Sequence, residues 1–286
     1  MIAMWEKGSK PYQGGPYNGR SNGADHSSTV HHRIGDNHGG TAGARPALFS
    51  GILPADYTRI AATARVKEFT RGEVLYLEGD SVRQVLLLTS GLVKLNKLGL
   101  SGTEVIIRLA APGDVLGALG LFSAGSQCTT AQAFRQCRAL AWDISAFRAL
   151  VGRFPILHEN MARILGGYLL ELEERFREVA TERVGPRVAR QVVRLMEQIG
   201  KPVDGAVEIG LSREELAQMT GTTLYTVSRL LSAWEARGMV RPRREAVAIC
   251  DAQLLCAVGR GDESLYSAEP VSTRKPIYQN GLSAIA

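Results

Sequence analysis

The sequence predicts an α+β chain built in three parts, and three observations carry that prediction. Glycine-punctuated runs of β-forming residues fill the first half, and one long stretch with a helical apolar period follows. Two short helix-forming segments, joined through a tight glycine turn, stand in the last third. Strands of even length between turn residues argue for an antiparallel sandwich or roll. Apolar residues stepping by three and four argue for a helix.

Bulk properties bound what such a chain does. Its 286 residues suffice for one large or two modest domains with their own cores. Hydrophobic residues make up 45% and charged residues 22%, an ordinary balance for a globular protein. The net charge of +6 permits a nucleic-acid partner without demanding one. No window reaches the roughly 18–20 continuous apolar residues of a membrane span, and the opening MIAMWEKGSKPYQGG lacks the apolar core of a secretion signal. Cys128, Cys137, Cys250 and Cys256 form no CxxC and no metal-ligand spacing. A cytoplasmic chain without disulfides, metal or membrane contact is expected.

Residues 1–47 are rich in Gly, Ser, Asn and His and carry almost no aliphatic periodicity. Such a stretch cannot bury enough apolar surface to offset its ordering entropy, so a disordered tail is expected, with His26, His31, His32 and His38 solvated within it. A second flexible tail is expected over 261–286. Between the tails, a helical segment from Pro54 to Ala64 precedes the runs VKEFTRG, EVLYLEGD, QVLLLTSG, LVKLNKLG, EVIIRLAAPGD, TTAQAFR and CRALAWD, each taken as a separate strand. Ser145 then opens a short helix, which closes a β domain spanning 48–153.

Pro155 begins the long helical stretch, assigned to 154–183. Met161, Leu165, Tyr168, Leu172, Phe176 and Val179 step by four and three alternately, with Glu and Arg on the other faces. A helix near 40 Å long with such a seam calls for a partner helix, so these six side chains are the expected dimer seam of a homodimer. Val184, Gly185 and Pro186 interrupt the pattern and mark a hinge into a last domain over 184–260, which opens with the helix RVARQVVRLMEQIG and a hairpin, KPVDGAVEIG.

In this last domain Ser212 and Glu215 have the spacing of a capping box. Gly221 supplies the positive φ of a tight helix-to-helix turn, and Thr222 or Thr223 caps a second helix whose buried face is Val227, Leu230, Leu231 and Trp234. MVRPRREAVAIC reads as a two-stranded wing carrying Arg241, Arg243 and Arg244. A second helix of this kind offers its N-terminal side chains to the major groove. Here those are Thr222, Thr223, Leu224, Tyr225, Thr226, Ser228 and Arg229, with Arg229 suited to a bidentate guanine contact. Residues 182–260 hold 12 Lys and Arg against 9 Asp and Glu, so the helical pattern and not bulk charge points to double-stranded DNA.

Over roughly residues 48–258 the chain resembles the Crp/Fnr family of transcription regulators. PGDVLGALGLFSAG from Pro112 resembles the family's glycine-rich turn and short helix. Residues 155–186 resemble its central helix and hinge, and 211–240 its DNA-binding motif, including the T-V-S-R run 226–229. The resemblance implies a jelly-roll-like antiparallel β-roll sensor domain, a central dimerisation helix and a C-terminal winged helix-turn-helix. It also implies action on a palindromic site, and RNA polymerase as a partner if the regulator activates. The effector region it implies takes in Gly113, Gly117, Ala118, Leu119, Gly120, Gln127, Cys128, Thr129, Leu172 and Glu173.

The departures from the family bear on that region. Cyclic-nucleotide binders of the family carry a Glu in a G-E-L turn for the ribose and an Arg before a Ser/Thr-Ala pair for the phosphate. Here the Glu position is Ala118 and the Arg position falls on Gln127 or Cys128, so cyclic AMP is not the expected effector. No cysteine precedes Cys128, which argues against the family's iron–sulfur mechanism, and His158 stands alone outside the tail as a haem-ligand candidate. No cofactor is expected, the effector is unassigned, and a regulator needing none also fits. The alternatives are a thiol-responsive regulator using Cys128 and Cys137, or a ligand-binding protein without DNA activity. An enzyme is not expected, because the sequence has no P-loop, G-x-S-x-G, paired zinc ligands or dinucleotide motif.

Overall fold

The computed structural model describes residues 45–122 and 125–262. The four tail histidines and most of both expected tails lie outside the described residues. Arg45 and Ala47, assigned by composition to the N-terminal tail, instead belong to the ordered fold. Arg45 donates to the Ile52 carbonyl and stacks over Tyr57 at 5.8 Å, and a single helical turn, Ala47–Phe49, buries Leu48 and Phe49 completely.

Helix α1 (Pro54–Ala62) leads into β1 (Arg65–Phe69), β2 (Val74–Tyr76), β3 (Gln84–Leu98), β4 (Glu104–Ala110) and β5 (Val115–Leu116). The short α2 (Leu119–Phe122) precedes β6 (Thr130–Asp143) and α3 (Ile144–Arg153). All pairings in this six-stranded sheet are antiparallel, ordered β1-β6-β3-β4, with β2 also on β6 and β5 also on β3. Trp142 anchors one side: its indole Nε1 donates to Thr63 Oγ1 (3.1 Å) and to the Ile60 carbonyl (3.3 Å), among Phe49 and Phe147.

Two pairs of runs that read as separate strands are single long ones. QVLLLTSG and LVKLNKLG together make β3, and TTAQAFR and CRALAWD make β6. In β3 the cause is Gly91, which reads as a turn residue but sits inside the ladder at φ +81°. The β3–β6 register shifts around it, so it is a bulge that curls both strands and does not end either. A Cβ there would run into the Gln136 carbonyl and Cys137. Gly91→Ala is expected to lower stability by about 1–3 kcal/mol, the range for a strained backbone position, measured as a lower denaturation midpoint at unchanged slope.

Helix α4 (Ile156–Thr181) runs 26 residues through Gly166 and Gly167 and is followed by α5 (Val184–Ile199). The break between them is at Glu182 and Arg183, which are extended, whereas Val184, Gly185 and Pro186, read from sequence as the hinge, form the first turn of α5. The joint is braced. Glu178, buried at the end of α4, accepts from Arg194 of α5 (3.0 Å) and faces Arg190 at 3.6 Å. Arg187 Nε donates to the Thr220 carbonyl at 2.9 Å.

The last domain continues with β7 (Lys201–Val203), β8 (Ala206–Ile209), α6 (Arg213–Thr220), α7 (Leu224–Glu235), β9 (Val240–Pro242), β10 (Val247–Ile249) and α8 (Ala252–Gly259). Its sheet order is β7-β8-β10-β9. The terminal α8, which the sequence reading did not anticipate, is capped by Asp251 and packs Leu255 and Val258 into the domain core. That core also takes in Leu92, Ile106, Leu109, Ala111 and Phe134 of the roll region, so roll and last domain share one apolar cluster.

Candidate DNA interface and sensor pocket

The helix–turn–helix is built by local chemistry. Ser212 Oγ accepts from Glu215 N (3.1 Å) while Glu215 Oε2 accepts from Ser212 N (2.8 Å), satisfying amide donors at the start of α6. Gly221 sits at φ +59°, turning the chain into α7. Of the two threonines offered as a cap, Thr223 fills the role, accepting from Thr226 N at 3.2 Å. Leu216, Val227, Leu231 and Trp234 are buried between the helices, with Leu230 partly so.

This packing fixes what α7 presents. Leu224, Tyr225 and Arg229 are exposed, Tyr225 to 76%, and Thr223 is exposed beside them. Thr222, Thr226 and Ser228 are half-buried at the same end. The β9–β10 wing adds exposed Arg241, Arg243 and Arg244. These cations are not equivalent: Arg243 is held by Glu208 at 2.5 Å, and Arg241 Nε lies 3.3 Å from Cys250 Sγ.

The expected dimer seam divides. Leu172, Phe176 and Val179 are 50%, 73% and 51% exposed and, with Leu169 at 56%, form one apolar stripe on the second half of α4. Met161, Leu165 and Tyr168 do not belong to it. Met161 is buried among Phe49, Trp142 and Leu157, and all three line a cavity against the roll of their own chain. The stripe therefore continues through Leu169, one position after the residue chosen from sequence.

That cavity measures about 40 Å³ and lies between the roll and α4. Of the effector-region residues, Gly117, Ala118, Leu119, Gln127, Cys128 and Thr129 line it, whereas Gly113, Gly120, Leu172 and Glu173 do not. Gly113 makes the turn before β5, and Gly120 packs against Val82 and the Ser126 carbonyl. Leu172 and Glu173 are exposed on α4.

Two groups that the sequence reading missed dominate the cavity. Arg108 on β4 donates to Asp114 Oδ2 (3.1 Å) and lies 3.9 Å from the centre of the Tyr168 ring, whose hydroxyl donates to Asp114 Oδ1 (3.0 Å). Burial is the largest single influence and works against the Arg108 charge, but Asp114, Tyr168 and Glu171 together outweigh it and raise the guanidinium's pKa. Burial likewise pushes the Tyr76 phenol up to about 12, with Arg108 pulling the other way, so this wall residue is a neutral phenol. The sequence did hold a signal: a lone arginine in the apolar run EVIIRLA.

Geometry removes the thiol-pair alternative. Cys137 lies mid-strand in β6, seven residues beyond its start at Thr130, with Cys128 in the turn before it. At ~3.3 Å per residue that separates them by roughly 20 Å or more, against at most ~7 Å for a disulfide. Cys137 is buried, and burial raises its thiol pKa, the opposite of an activated thiolate. His158 is exposed in the first turn of α4.

A roll closed by a long helix, joined to a winged helix-turn-helix with its second helix open, defines a two-domain DNA-binding regulator. Comparison with known proteins agrees. The cyclic nucleotide-binding domain matches residues 66–154 and the Crp-like helix-turn-helix domain matches 186–258. The chain is 27% identical to a CRP-like cAMP-activated global transcriptional regulator of Mycobacterium tuberculosis, over 76% of this chain and 98% of that one. It is 28% identical to the cyclic AMP receptor protein of Thermus thermophilus, over 75% and 97%. A solved CRP/FNR-family transcriptional regulator, also from Thermus thermophilus, shares the fold with a TM-score of 0.61 at 23% identity, covering 68% of this chain and 98% of that one. The chain belongs to the Crp/Fnr family of transcription regulators and is not an enzyme. Among the described residues, no helix is long and apolar enough to cross a membrane.

Proposed function

We propose that this regulator acts in the cytoplasm as a homodimer on a palindromic DNA site, with α7 of each copy in successive major grooves. The observation that carries the reading is the open N-terminal face of α7, where Tyr225 and Arg229 stand clear of protein while the opposite face is buried. Such a face reads bases, and the wing arginines Arg241 and Arg244 suit phosphates. The apolar stripe through Leu172 and Phe176 supplies the symmetric contact that pairs two heads about 34 Å apart. RNA polymerase is the partner if the regulator activates. Binding to a duplex carrying the preferred site should fall steeply with salt, as phosphate contacts require. Affinity that is weak at low salt and insensitive to salt would refute the reading.

Cyclic AMP, the effector named for two of the relatives, is not the effector of this chain. Ala118 offers no carboxylate to a ribose, and neither Gln127 nor Cys128 offers a cation to a phosphate. The cation that does line the pocket, Arg108, is already paired with Asp114, and a buried phosphate without a free partner charge is unstable by several kcal/mol. Titration with cyclic AMP in a calorimeter should give no binding heat up to about 1 mM, a ceiling that corresponds to roughly 4 kcal/mol of affinity. A micromolar dissociation constant would overturn this.

A further inference from the structure

Where the roll meets α4, the pocket is narrowed by the protein's own side chains. Its free volume against α4 is about 40 Å³, room for little more than a few waters, while a neighbouring cavity of about 530 Å³ shares Tyr76 and Gln127 as walls. Arg108, whose side chain is only 12% exposed, lines the narrow part together with the Tyr168 ring 3.9 Å away. Asp114 joins them: one carboxylate oxygen takes the guanidinium and the Ala111 amide (2.8 Å), the other takes the Tyr168 hydroxyl. The three residues come from β4, from the turn before β5 and from α4. The cluster therefore ties the central helix to the roll, and a cation, an anion and a phenol satisfy one another inside it.

The same strand grips the DNA-binding domain. Ile107, next to Arg108, gives its carbonyl to Arg175 of α4, and Arg175 Nη2 also donates to the Met219 carbonyl in α6 (2.9 Å). Leu109 accepts from Gln198 of α5 (2.9 Å), and Glu104 at the start of β4 accepts from Gln218 of α6 (3.3 Å). Strand β4 thus has the pocket cation on it and the anchor points of α5 and α6 on either side. A shift of Arg108 displaces the strand that positions the helix-turn-helix.

We propose that the Arg108–Asp114–Tyr168 cluster is a built-in substitute for an effector. It holds α4 on the roll and, through β4 and Arg175, keeps the DNA-binding domain docked with α7 open. The regulator then binds its site without a small molecule. The proposal rests on the DNA-binding reading above and adds to it how the sensor domain sets that activity.

The test uses the full-length protein and compares wild type with Arg108→Met, Asp114→Asn and Tyr168→Phe. Affinity for the selected DNA site is measured without ligand and with about 1 mM cyclic AMP or cyclic GMP, and amide hydrogen exchange is followed across 104–110 and 213–220. Wild type is expected to bind with no ligand, the nucleotides changing affinity less than about twofold. Each variant is expected to bind roughly tenfold more weakly, the size of an ordinary coupling between sites, with faster exchange over 213–220. Tyr168→Phe keeps the ring and its packing, so its weakening at an unchanged melting temperature reports the lost hydroxyl and not misfolding. Wild-type binding that needs a nucleotide, or variants that match or exceed wild type in affinity, would overturn the proposal. Failure of wild type to bind any DNA would defeat the DNA-binding reading instead. The exchange arm then still decides the cluster's role, since unchanged protection over 213–220 in Arg108→Met excludes it.

Discussion

Glutamate at both Leu172 and Phe176 is expected to leave a chain that runs at its monomer mass of 30.9 kDa, where the parent runs at twice that value. Both side chains lie on the exposed apolar stripe of α4, at 50% and 73% exposure, so neither supports the fold of its own chain. Covering one such side chain fully contributes about 1.5–3 kcal/mol, and two-fold symmetry applies each contact twice. Placing two carboxylates opposite two others removes that contribution and adds like-charge repulsion. The melting transition of the isolated chain should survive, because the roll core around Trp142 and the last domain's core are untouched. DNA affinity should fall by two orders of magnitude or more, since one head reaches only one half-site. Light scattering at about 10 μM, some tenfold above a micromolar dissociation constant, is the check, and an unchanged dimer mass would place the seam elsewhere. Leu165, part of the seam expected from sequence, lines the pocket, so a charge there is expected to disturb the packing of α4 on the roll.

Arg229→Ala is expected to weaken specific binding by roughly 1–3 kcal/mol and relax one base position per half-site, while binding to random duplex changes little. Arg229 is exposed on α7 beyond the capping turn, so its loss should leave the unfolding midpoint unmoved. Arg243→Ala provides the contrast. Its guanidinium is already engaged by Glu208, so its removal should alter DNA affinity far less than removal of Arg229. Binding isotherms on the preferred and a scrambled duplex separate the two. Equal losses on both duplexes from Arg229→Ala would show that it contacts phosphate and reads no base.

What was legible in the sequence is local chemistry. The Ser212 and Glu215 capping box, the left-handed Gly221 and the buried face of α7 each follow from residues within a few positions of one another, and each stands in the structure as read except Leu230, which is only partly buried. The length of α4 was legible from its period. The phase of its exposed stripe was not, because Tyr168, Leu169 and Leu170 are consecutive apolar residues and only the roll decides which of them turns inward. Gly91 was misread for a related reason: a glycine between two β-forming runs signals a turn or a bulge equally, and the partner strand settles it. The Arg108–Asp114–Tyr168 cluster joins positions 6 and 54 residues apart along the chain. No periodicity carries such a pair, although a charged residue amid EVIIRLA announces that it needs a buried partner.

The most direct test is selection of random duplex DNA by the purified full-length protein at fixed salt with no nucleotide added. The account predicts enrichment of a two-fold symmetric site with half-sites centred about 10 base pairs apart, recovered equally with and without reductant. Absence of any enriched sequence at low salt, or enrichment only when a nucleotide is supplied, would contradict it.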